Sequence, residues 1–321
     1  MKALLVGFGS AGFHWYKKLS ERGMLAAIVE TDITMKRKLD GREIPFYTSL
    51  EEALQREQVD FLVNVTPPLV HTSINQAAFD RRLPVLCEKP ISFDYTESVR
   101  IVQRAVKEEI PFMIAENYRC FPFMRKLKQL LDEGAIGEIS SLHIDFYRKH
   151  QVERKYAVQI LDDIGIHHFD LVRYLTGREG ARIYAEIYHP VAGWGSAEEM
   201  INAHALLEME GGIRVSYNAT VASCCKPTPW SGSWRIEGTS GSLQLIDDII
   251  LLTQDERTTV IEDFSGVHAP NCLDEFVASL SAGREGETSG KEYIKTQAIV
   301  HHAHLSNATR TSIHIQLPDI L

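Results

Sequence analysis

The stretch from Lys2 to Gly12, KALLVGFGSAG, decides the fold. Its apolar beginning predicts a short β-strand, and the run Gly7-Phe8-Gly9-Ser10-Ala11-Gly12 matches the pattern G-x-G-x-x-G at the start of a predicted helix. In this context the pattern indicates a turn that binds a dinucleotide. Gly7 permits the tight bend, Gly9 lets the backbone approach the pyrophosphate, and Gly12 allows the helix to pack closely on the strand. The N–H groups at the helix N-terminus then face the phosphates.

Glu30 ends the second predicted strand, Leu25–Val29, and bears on the choice of cofactor. An acidic side chain there accepts hydrogen bonds from the ribose hydroxyls and repels a 2′-phosphate, so NAD is preferred over NADP. NADP stays possible, because a basic side chain of the run Met35-Lys36-Arg37-Lys38 could reach back to a phosphate. The alternative to dinucleotide binding is an ordinary glycine-rich turn beside an acidic side chain that faces water.

The pattern of the sequence changes after about residue 120. Before it, short apolar runs alternate with helical patterns, which predicts βαβ units and a parallel sheet. From residue 139 to about 261 the pattern is mostly strand-like, with hairpin turn signals such as Glu210-Gly211-Gly212. We therefore expect a dinucleotide-binding Rossmann domain over residues 1–120 and a second, α+β domain over residues 121–321.

Composition narrows the classes of partner. The formal charge is −9, and no basic stripe with interleaved aromatics occurs, which argues against nucleic acid and against an anionic membrane surface. No apolar run approaches the roughly 18 residues of a membrane span. The five cysteines are odd in number and form no C-x-x-C pair, which argues for reduced thiols, a cytoplasmic location and no metal site.

Further motifs follow the fingerprint in a fixed order. They are Val65-Thr66-Pro67-Pro68 with His71, Cys87-Glu88-Lys89-Pro90, Asn117-Tyr118-Arg119-Cys120-Phe121-Pro122, Asp163-Ile164-Gly165-Ile166-His167, and Trp234-Arg235-Ile236-Glu237-Gly238 with Gly241. Together they resemble the family of glucose–fructose oxidoreductase, inositol dehydrogenase and a rhizopine-catabolism protein (Gfo/Idh/MocA). Two departures stand out: Cys120 replaces the usual aromatic residue, and residues 157–162 (AVQILD) lack the family's glycines, which puts the pose of the substrate in question.

The residue types suit the oxidation of an alcohol. Asp163 and His167 are spaced i, i+4 and project from one helix face, and Lys89 follows a buried-type strand at the end where α/β sheets bind ligands. A histidine titrates near neutral pH and serves as a general base, and an ammonium stabilises a developing alkoxide. The alternatives are a helical surface pair and a solvated turn lysine.

The resemblance implies a role for each matching residue. His167 is expected as the general acid/base, Lys89 at the substrate oxygen and the nicotinamide ribose, and Asp163 as the residue that positions the substrate or His167. Cofactor contacts are also expected from Thr66, Pro67, His71 and Glu88, and substrate contacts from Arg119 and Tyr147, although Tyr147 is equally typical of an ordinary sheet face. The resemblance further implies a cis Lys89–Pro90 bond.

The fold class implied is an α/β Rossmann domain plus an α+β domain with an open, mostly antiparallel sheet. The implied function is NAD(P)-dependent hydride transfer at a secondary hydroxyl of a sugar, inositol or related polyol. Two alternatives stay open, an NAD-dependent glycosidase with trapped cofactor and a non-catalytic NAD-binding regulator. The free sheet face predicts a homodimer or homotetramer, since a broad apolar face is unusual on a monomer.

Overall fold

A computed structural model describes residues 1–150, 157, 159–190 and 199–320. Its α-helices over these ranges are α1 (Ser10–Glu21), α2 (Leu50–Arg56), α3 (His71–Phe79), α4 (Tyr95–Lys107), α5 (Pro122–Asp132), α6 (Ile166–Thr176), α7 (Cys272–Ala282) and α8 (Gly290–Thr309). No helix in these ranges combines the length and the apolar character that crossing a bilayer requires.

The first sheet is parallel throughout. Its strands are β1 (Ala3–Val6), β2 (Leu25–Val29), β3 (Phe46–Tyr47), β4 (Phe61–Asn64), β5 (Val85–Cys87) and β6 (Phe112–Ile114), in the order β3-β2-β1-β4-β5-β6. The central strands β1 and β4 are buried along their whole length, as expected for strands covered on both faces. The predicted Rossmann-type sheet is confirmed.

The second sheet is mixed and open. Its strands are β7 (Ile139–Tyr147), β8 (Gly180–Tyr188), β9 (Asn202–Met209), β10 (Arg214–Thr220), β11 (Ser233–Gly238), β12 (Ser242–Ile246), β13 (Ile249–Gln254), β14 (Arg257–Ile261) and β15 (Ile313–His314). The order is β14-β13-β12-β11-β7-β10-β9-β8-β15. The β7–β10 pair is parallel, and the other pairs are antiparallel. The predicted open, mostly antiparallel sheet is confirmed.

The two faces of this second sheet differ because side chains alternate along a strand. On β7, Phe146 is fully buried and packs near His168 of α6, whereas Tyr147 lies on the opposite, exposed face. That exposed face carries a chain of hydrogen bonds that crosses four strands. The chain runs from Tyr147 to Asp145, Asn218, His204 and Tyr188.

The chain forms two compact units that interleave in sequence. One contains Met1–Glu116, Cys272–Ile294 and the C-terminal residues from Asp319, and the other contains Asn117–Asn271 and Lys295–Pro318. In the first unit Phe276 of α7 packs edge-on against Phe61 of β4, with ring centroids 5.5 Å apart. The late helix α7 therefore belongs to the unit of the parallel sheet.

Candidate functional site

The glycine turn after β1 has the geometry of a phosphate cradle. Gly7 has a φ of +97°, and a Cβ there would stand 2.7 Å from the carbonyl oxygen of Val65. A Cβ on Gly12 would stand 2.2 Å from the carbonyl oxygen of Gly7, so both positions require glycine. A Cβ on Gly9 would meet nothing within 4 Å. The backbone therefore lies open to a ligand at Gly9.

The start of α1 supplies the donors for that cradle. Gly9 is the N-cap residue and provides no capping side chain, and Ser10 and Ala11 are exposed. The first N–H groups of a helix have no partner within the helix and carry partial positive charge. The turn and helix thus fit a dinucleotide pyrophosphate. Phe8 contributes through its backbone, because its ring is fully buried among Phe13, Tyr16 and Phe46.

Two charged side chains that follow β2, those of Glu30 and Lys38, hold the glycine turn after β1. Glu30 accepts a hydrogen bond of 2.8 Å from the Phe8 N–H, and Lys38 donates to the Phe8 carbonyl oxygen at 3.2 Å. Glu30 also accepts from the Asp32 N–H at 3.1 Å and from the Thr31 hydroxyl at 3.2 Å. The acid expected at the ribose is therefore fixed against the glycine turn.

His71 connects the segment after β4 to the turn that carries Lys89. Its ring is fully buried, with Nδ1 2.7 Å from the Pro90 carbonyl oxygen and Nε2 2.7 Å from the Thr66 carbonyl oxygen. Burial lowers the pKa of His71, while the two carbonyl contacts and the Glu88 carboxylate act in the opposite direction. With both ring nitrogens occupied by the backbone, His71 orients its neighbours rather than presenting a nitrogen to a ligand.

The Glu88-Lys89-Pro90 turn follows β5 at the carboxyl edge of the sheet. The Lys89–Pro90 peptide is cis, which confirms that expectation. Glu88 is held by its N–H on the Asn64 carbonyl oxygen at 2.8 Å and by its carboxylate, which accepts from the Trp15 indole N–H at 2.8 Å. Lys89 is half-buried at this turn. The helix that carries the phosphate cradle thereby also fixes the residue before Lys89.

In the second unit a π-helical turn precedes α6. Leu161–Gly165 forms this turn and contains Asp163, where the i, i+4 spacing predicted a regular α-helix. A Cβ on Gly165 would stand 2.7 Å from Cδ2 of Leu161, so a larger residue there would require the Leu161 side chain to move. Asp162 accepts a hydrogen bond from His304 of α8 at 2.8 Å, which fastens the turn from outside. Such π turns are frequent at functional sites. Val158, within the stretch that lacks the family's glycines, lies outside the described residues.

His167 lies in the first turn of α6, against an aromatic ring. Its imidazole is stacked on Tyr118, with ring centroids 4.0 Å apart and an interplanar angle of 7°. The side chain is 5% exposed, so its orientation is set by packing. Tyr118 comes from a short 3₁₀ helix, Tyr118–Cys120, so the same segment that carries Arg119 positions His167.

His168 points the other way, into the buried face of the second sheet. It is fully buried, with Nδ1 2.9 Å from the Tyr217 hydroxyl and Nε2 3.0 Å from the Trp230 carbonyl oxygen. Burial lowers the pKa of His168 to about 3. It therefore anchors α6 to the sheet as a neutral ring.

Arg119 is engaged in a buried ion pair. Its Nε and Nη2 donate to the two carboxylate oxygens of Asp170 at 2.5 and 2.7 Å, and the side chains are 7% and 0% exposed. Asp170 also accepts from the Thr296 hydroxyl at 3.0 Å. This ion pair joins the 3₁₀ helix that carries Arg119 to α6.

Tyr147 is not brought together with Asp163 and His167. It lies on the face of the second sheet opposite α6, and its hydroxyl donates to Asp145 at 3.1 Å. Because the buried neighbour Phe146 faces α6, alternation turns Tyr147 away. The ordinary sheet-face interpretation describes this residue better than a substrate contact does.

The side chains of the C-terminal histidines His302 and His304 contact other residues of the fold. His302 contacts the Ala298 carbonyl oxygen at 2.7 Å, and His304 pairs with Asp162. Among the residues that the structure describes, no group of three or more His, Cys, Asp or Glu side chains is arranged to hold a metal ion.

Comparisons with known proteins match both parts of the chain. A family model described as the oxidoreductase family with an NAD-binding Rossmann fold matches residues 1–116, and one described as the GFO/IDH/MocA C-terminal domain matches residues 124–244. The chain belongs to the Gfo/Idh/MocA family of oxidoreductases. The first unit therefore carries an NAD(P)-binding Rossmann domain.

Relatives within the Gfo/Idh/MocA family are distant. The chain is 27% identical over 228 residues to an inositol 2-dehydrogenase of Corynebacterium glutamicum, covering 68% of this chain and 66%, slightly under two thirds, of that protein. It is 25% identical over an alignment of 342 positions to a D-apiose dehydrogenase of Rhizobium rhizogenes, covering 98% of this chain and 97% of that protein.

Solved structures share the fold over nearly the whole chain. An oxidoreductase from Agrobacterium radiobacter in complex with NAD+, L-tartaric acid and magnesium superposes with a TM-score of 0.89 at 23% identity, covering 98% of each chain. The WlbA dehydrogenase of Bordetella pertussis, in complex with NADH and UDP-GlcNAcA, superposes with a TM-score of 0.84 at 18% identity, covering 99% of each chain.

Proposed function

We propose that the protein is an NAD(P)-dependent dehydrogenase that oxidises, reversibly, a secondary hydroxyl of a sugar, inositol or related polyol. The observation that carries the proposal is the Glu88-Lys89-Pro90 turn at the carboxyl end of β5, fixed from α1 by Trp15. This edge also carries the glycine turn, so the cofactor and Lys89 belong to the same side of the sheet. The inositol and apiose dehydrogenases among the relatives support the substrate class.

Different residues are proposed to bind different parts of the cofactor. The run Gly7-Phe8-Gly9-Ser10-Ala11-Gly12 binds the pyrophosphate through its backbone, and Glu30 binds the adenosine ribose. Thr66, Pro67 and Glu88 border the nicotinamide half. When bound, the nicotinamide accepts the hydride from the substrate carbon or returns it.

The catalytic roles follow from charge and proton affinity. His167 takes the hydroxyl proton as the C–H hydride leaves, so that the carbinol becomes a carbonyl, and it returns the proton in the reverse direction. Lys89 donates a hydrogen bond to the reacting oxygen and stabilises the negative charge that develops there. Asp163 holds the substrate or orients His167.

The test is a substrate panel with matched variants. Purified protein is mixed with sugars, inositols and hydroxy acids, and the absorbance of reduced cofactor is followed. Lys89→Ala and His167→Ala should lower turnover by about two to four orders of magnitude, the range for a lost acid–base or charge-stabilising group, with little change in NAD+ affinity. The exposed residues Lys107 and His143 supply control variants, Lys107→Ala and His143→Ala, which should keep turnover.

Other outcomes decide against the proposal. Turnover that survives both active-site changes would refute it. Cofactor that co-purifies at near-stoichiometric amount, with glycoside cleavage and no net NADH release, would indicate the glycosidase. Binding of NAD+ without turnover on the whole panel would indicate a regulator.

We also propose that the chain forms a homodimer or homotetramer through the exposed face of the second sheet. Leu206, 63% exposed, and Val260, 58% exposed, stand among the large apolar side chains open to water. Light scattering on the purified protein tests this, and a mass equal to one chain would contradict it.

A further inference from the structure

Two neighbouring cysteines that the proposed function does not use follow β10. Cys224 and Cys225 are free thiols, and both side chains are exposed. They belong to an irregular segment of the second unit, between β10 and β11. The other cysteines differ, because Cys87 and Cys272 are buried and Cys120 is half-buried. The exposed thiols of the chain are therefore this adjacent pair.

Access to water separates the cysteines in reactivity. The thiolate is the form of cysteine that reacts with oxidants, and exposed thiols are oxidised before buried ones. Cys87 is fully buried, and burial raises the pKa of its thiol well above the usual range, so that it stays protonated. Cys272 is 5% exposed. An oxidant dissolved in water therefore meets Cys224 and Cys225 first.

Adjacency makes a disulfide between these two residues possible but strained. Neighbouring Cα atoms are about 3.8 Å apart across a trans peptide, whereas most disulfides join Cα atoms about 4.4 to 6.8 Å apart. The bond therefore closes only if the backbone around the pair changes. Strained disulfides are also reduced more easily than relaxed ones, which is typical of labile and regulatory bonds.

The turn that must change is linked to the first turn of α6. The Cys225 N–H donates to the Ser223 hydroxyl at 3.2 Å, and the Ser223 N–H donates to the Arg148 carbonyl oxygen at 3.1 Å. The Arg148 guanidinium lies over the Trp230 ring, 4.5 Å from its centre. The Trp230 carbonyl oxygen lies 3.0 Å from Nε2 of His168, the residue after His167. A rearrangement at Cys225 therefore acts on the contacts that pack Trp230.

We propose that Cys224 and Cys225 form a redox switch, in which hydrogen peroxide joins them in a reversible disulfide and the bond changes the packing of Trp230. The proposal depends on neither the cofactor nor the proposed reaction. A rival explanation is that the two thiols are ordinary exposed side chains, each oxidised on its own or linked to another molecule.

The oxidation balances with peroxide as the oxidant. The sulfur of one cysteine attacks the peroxide, so that an S–O bond forms, the O–O bond breaks and water leaves. The sulfur of the second cysteine then attacks this sulfenic sulfur, so that the S–S bond forms, the S–O bond breaks and a second water leaves with the remaining thiol proton. Two electrons pass from the sulfurs to the peroxide. A dithiol reductant restores both thiols by exchange.

The experiment follows the purified full chain by mass and by fluorescence. Reduced protein, freed of reductant, is titrated with hydrogen peroxide, and the peptide that contains both cysteines is weighed before and after dithiothreitol. The variants are Cys224→Ser and Cys225→Ser, with Cys120→Ser as the matched control. The emission of Trp230 is obtained as the difference between the wild type and Trp230→Phe, and circular dichroism verifies that each variant is folded.

The expected pattern requires both exposed thiols. In the wild type and in Cys120→Ser the peptide should lose the mass of two hydrogens, and dithiothreitol should restore it. In Cys224→Ser and Cys225→Ser the peptide should instead gain oxygen or form a link between two chains. The Trp230 emission should shift on oxidation of the wild type, return with dithiothreitol, and stay unchanged in Cys225→Ser.

Two results would overturn the proposal. The first is wild-type peptide that gains oxygen or an intermolecular link in place of losing two hydrogens, which would leave the cysteines as independent thiols. The second is a disulfide within the pair that leaves the Trp230 emission as it was, which would show a bond without a switch. Neither measurement involves NAD+ or turnover, so failure here is distinct from failure of the proposed function.

Discussion

Two fully buried histidines, one in each unit, have opposite hydrogen-bonding surroundings. His168 faces a hydroxyl and a carbonyl, so a neutral ring satisfies both contacts by accepting from Tyr217 and donating to the Trp230 carbonyl oxygen. His71 faces two carbonyl oxygens, and a neutral ring donates to one of them only. A neutral ring therefore satisfies both contacts of His168 but only one of the two contacts of His71.

The difference reflects what each histidine holds. His168 ties a helix to a sheet, and its contacts come from β10 and from the chain near Trp230. His71 ties together two backbone segments at a ligand-binding edge, one of which carries Lys89. In the first unit the backbone of the turn that carries Lys89 is held by the Asn64 carbonyl oxygen and the His71 ring, whereas the second unit positions His167 through packed side chains such as Tyr118. Each prediction below tests one side of this comparison.

The largest effect is expected from Asp170→Asn. Asp170 is fully buried beside Arg119, and removal of its charge takes away the carboxylate that pairs with the buried Arg119 guanidinium, whereas Arg173, at 4.0 Å, keeps its pair with Glu179. The free energy of unfolding should fall by about 3–5 kcal/mol, measured by urea denaturation. Asp132→Asn, in the exposed Lys128–Asp132 pair, is the control and should cost under about 1 kcal/mol. Equal losses would show that the buried pair does not hold the His167 region.

His71→Phe should have the next largest effect. The change removes both ring contacts to the carbonyl oxygens of Thr66 and Pro90; a neutral ring donates to one of them, and an unsatisfied buried group costs about 1–3 kcal/mol. We expect a loss of unfolding free energy in that range or slightly above. Turnover should fall more than NAD+ affinity, because the disturbed segment carries Lys89. A variant with full turnover would show that the Lys89 turn keeps its geometry without His71.

The sequence predicts most strands of the sheet in each unit, but it does not predict the edge strands β3 and β14. The strand β14 carries RTTVI with no alternation of burial, and β3 is two residues long, so neither has a period that can be read. The assignment of α7 to the first unit depends on contacts such as Arg22–Asp274, far apart in sequence. Local pattern cannot show such pairings.

The candidate site, like the fold, can be predicted from the sequence only in part. Motifs identify Lys89 and His167, but the engagement of Arg119 by Asp170 is set by tertiary packing. The π turn at Asp163 is also invisible, since i, i+4 spacing is equally compatible with a regular helix. The orientation of Tyr147 could have been predicted from the sequence. Side chains alternate between the two faces of a strand, and its neighbour Phe146 is the more apolar of the two and so takes the buried face.

A smaller, pH-dependent effect is expected from His168. Its pKa is lowered to about 3 in the folded protein, against about 6.5 in the unfolded chain. Above pH ~6.5 neither state binds the proton, and between these values the unfolded chain binds it and the folded protein does not. This one residue should therefore lower stability by up to about 1.4 kcal/mol per pH unit as the pH falls through that window.

The check on His168 is a difference between two unfolding series. Urea denaturation of the wild type and of His168→Gln is compared from pH 7.5 to pH 4.5. His168→Gln is less stable at the upper end, and the gap should narrow on acidification, because the variant has no ring to protonate. A gap that stays constant would show that His168 is already accessible to protons in the folded protein.

The smallest effect is expected from Trp15→Phe. Trp15 belongs to α1 and is 5% exposed, and its indole N–H donates to the Glu88 carboxylate at 2.8 Å. Phenylalanine keeps most of the apolar contact and loses the hydrogen bond, so unfolding free energy should fall by about 1–2 kcal/mol. The informative readout is turnover at saturating cofactor. If the Asn64 carbonyl oxygen and the His71 ring suffice to hold the backbone of the turn, turnover changes little while the cofactor affinity weakens a few-fold. If turnover instead falls as far as in Lys89→Ala, a side chain positions Lys89 after all, and the contrast between the two units disappears.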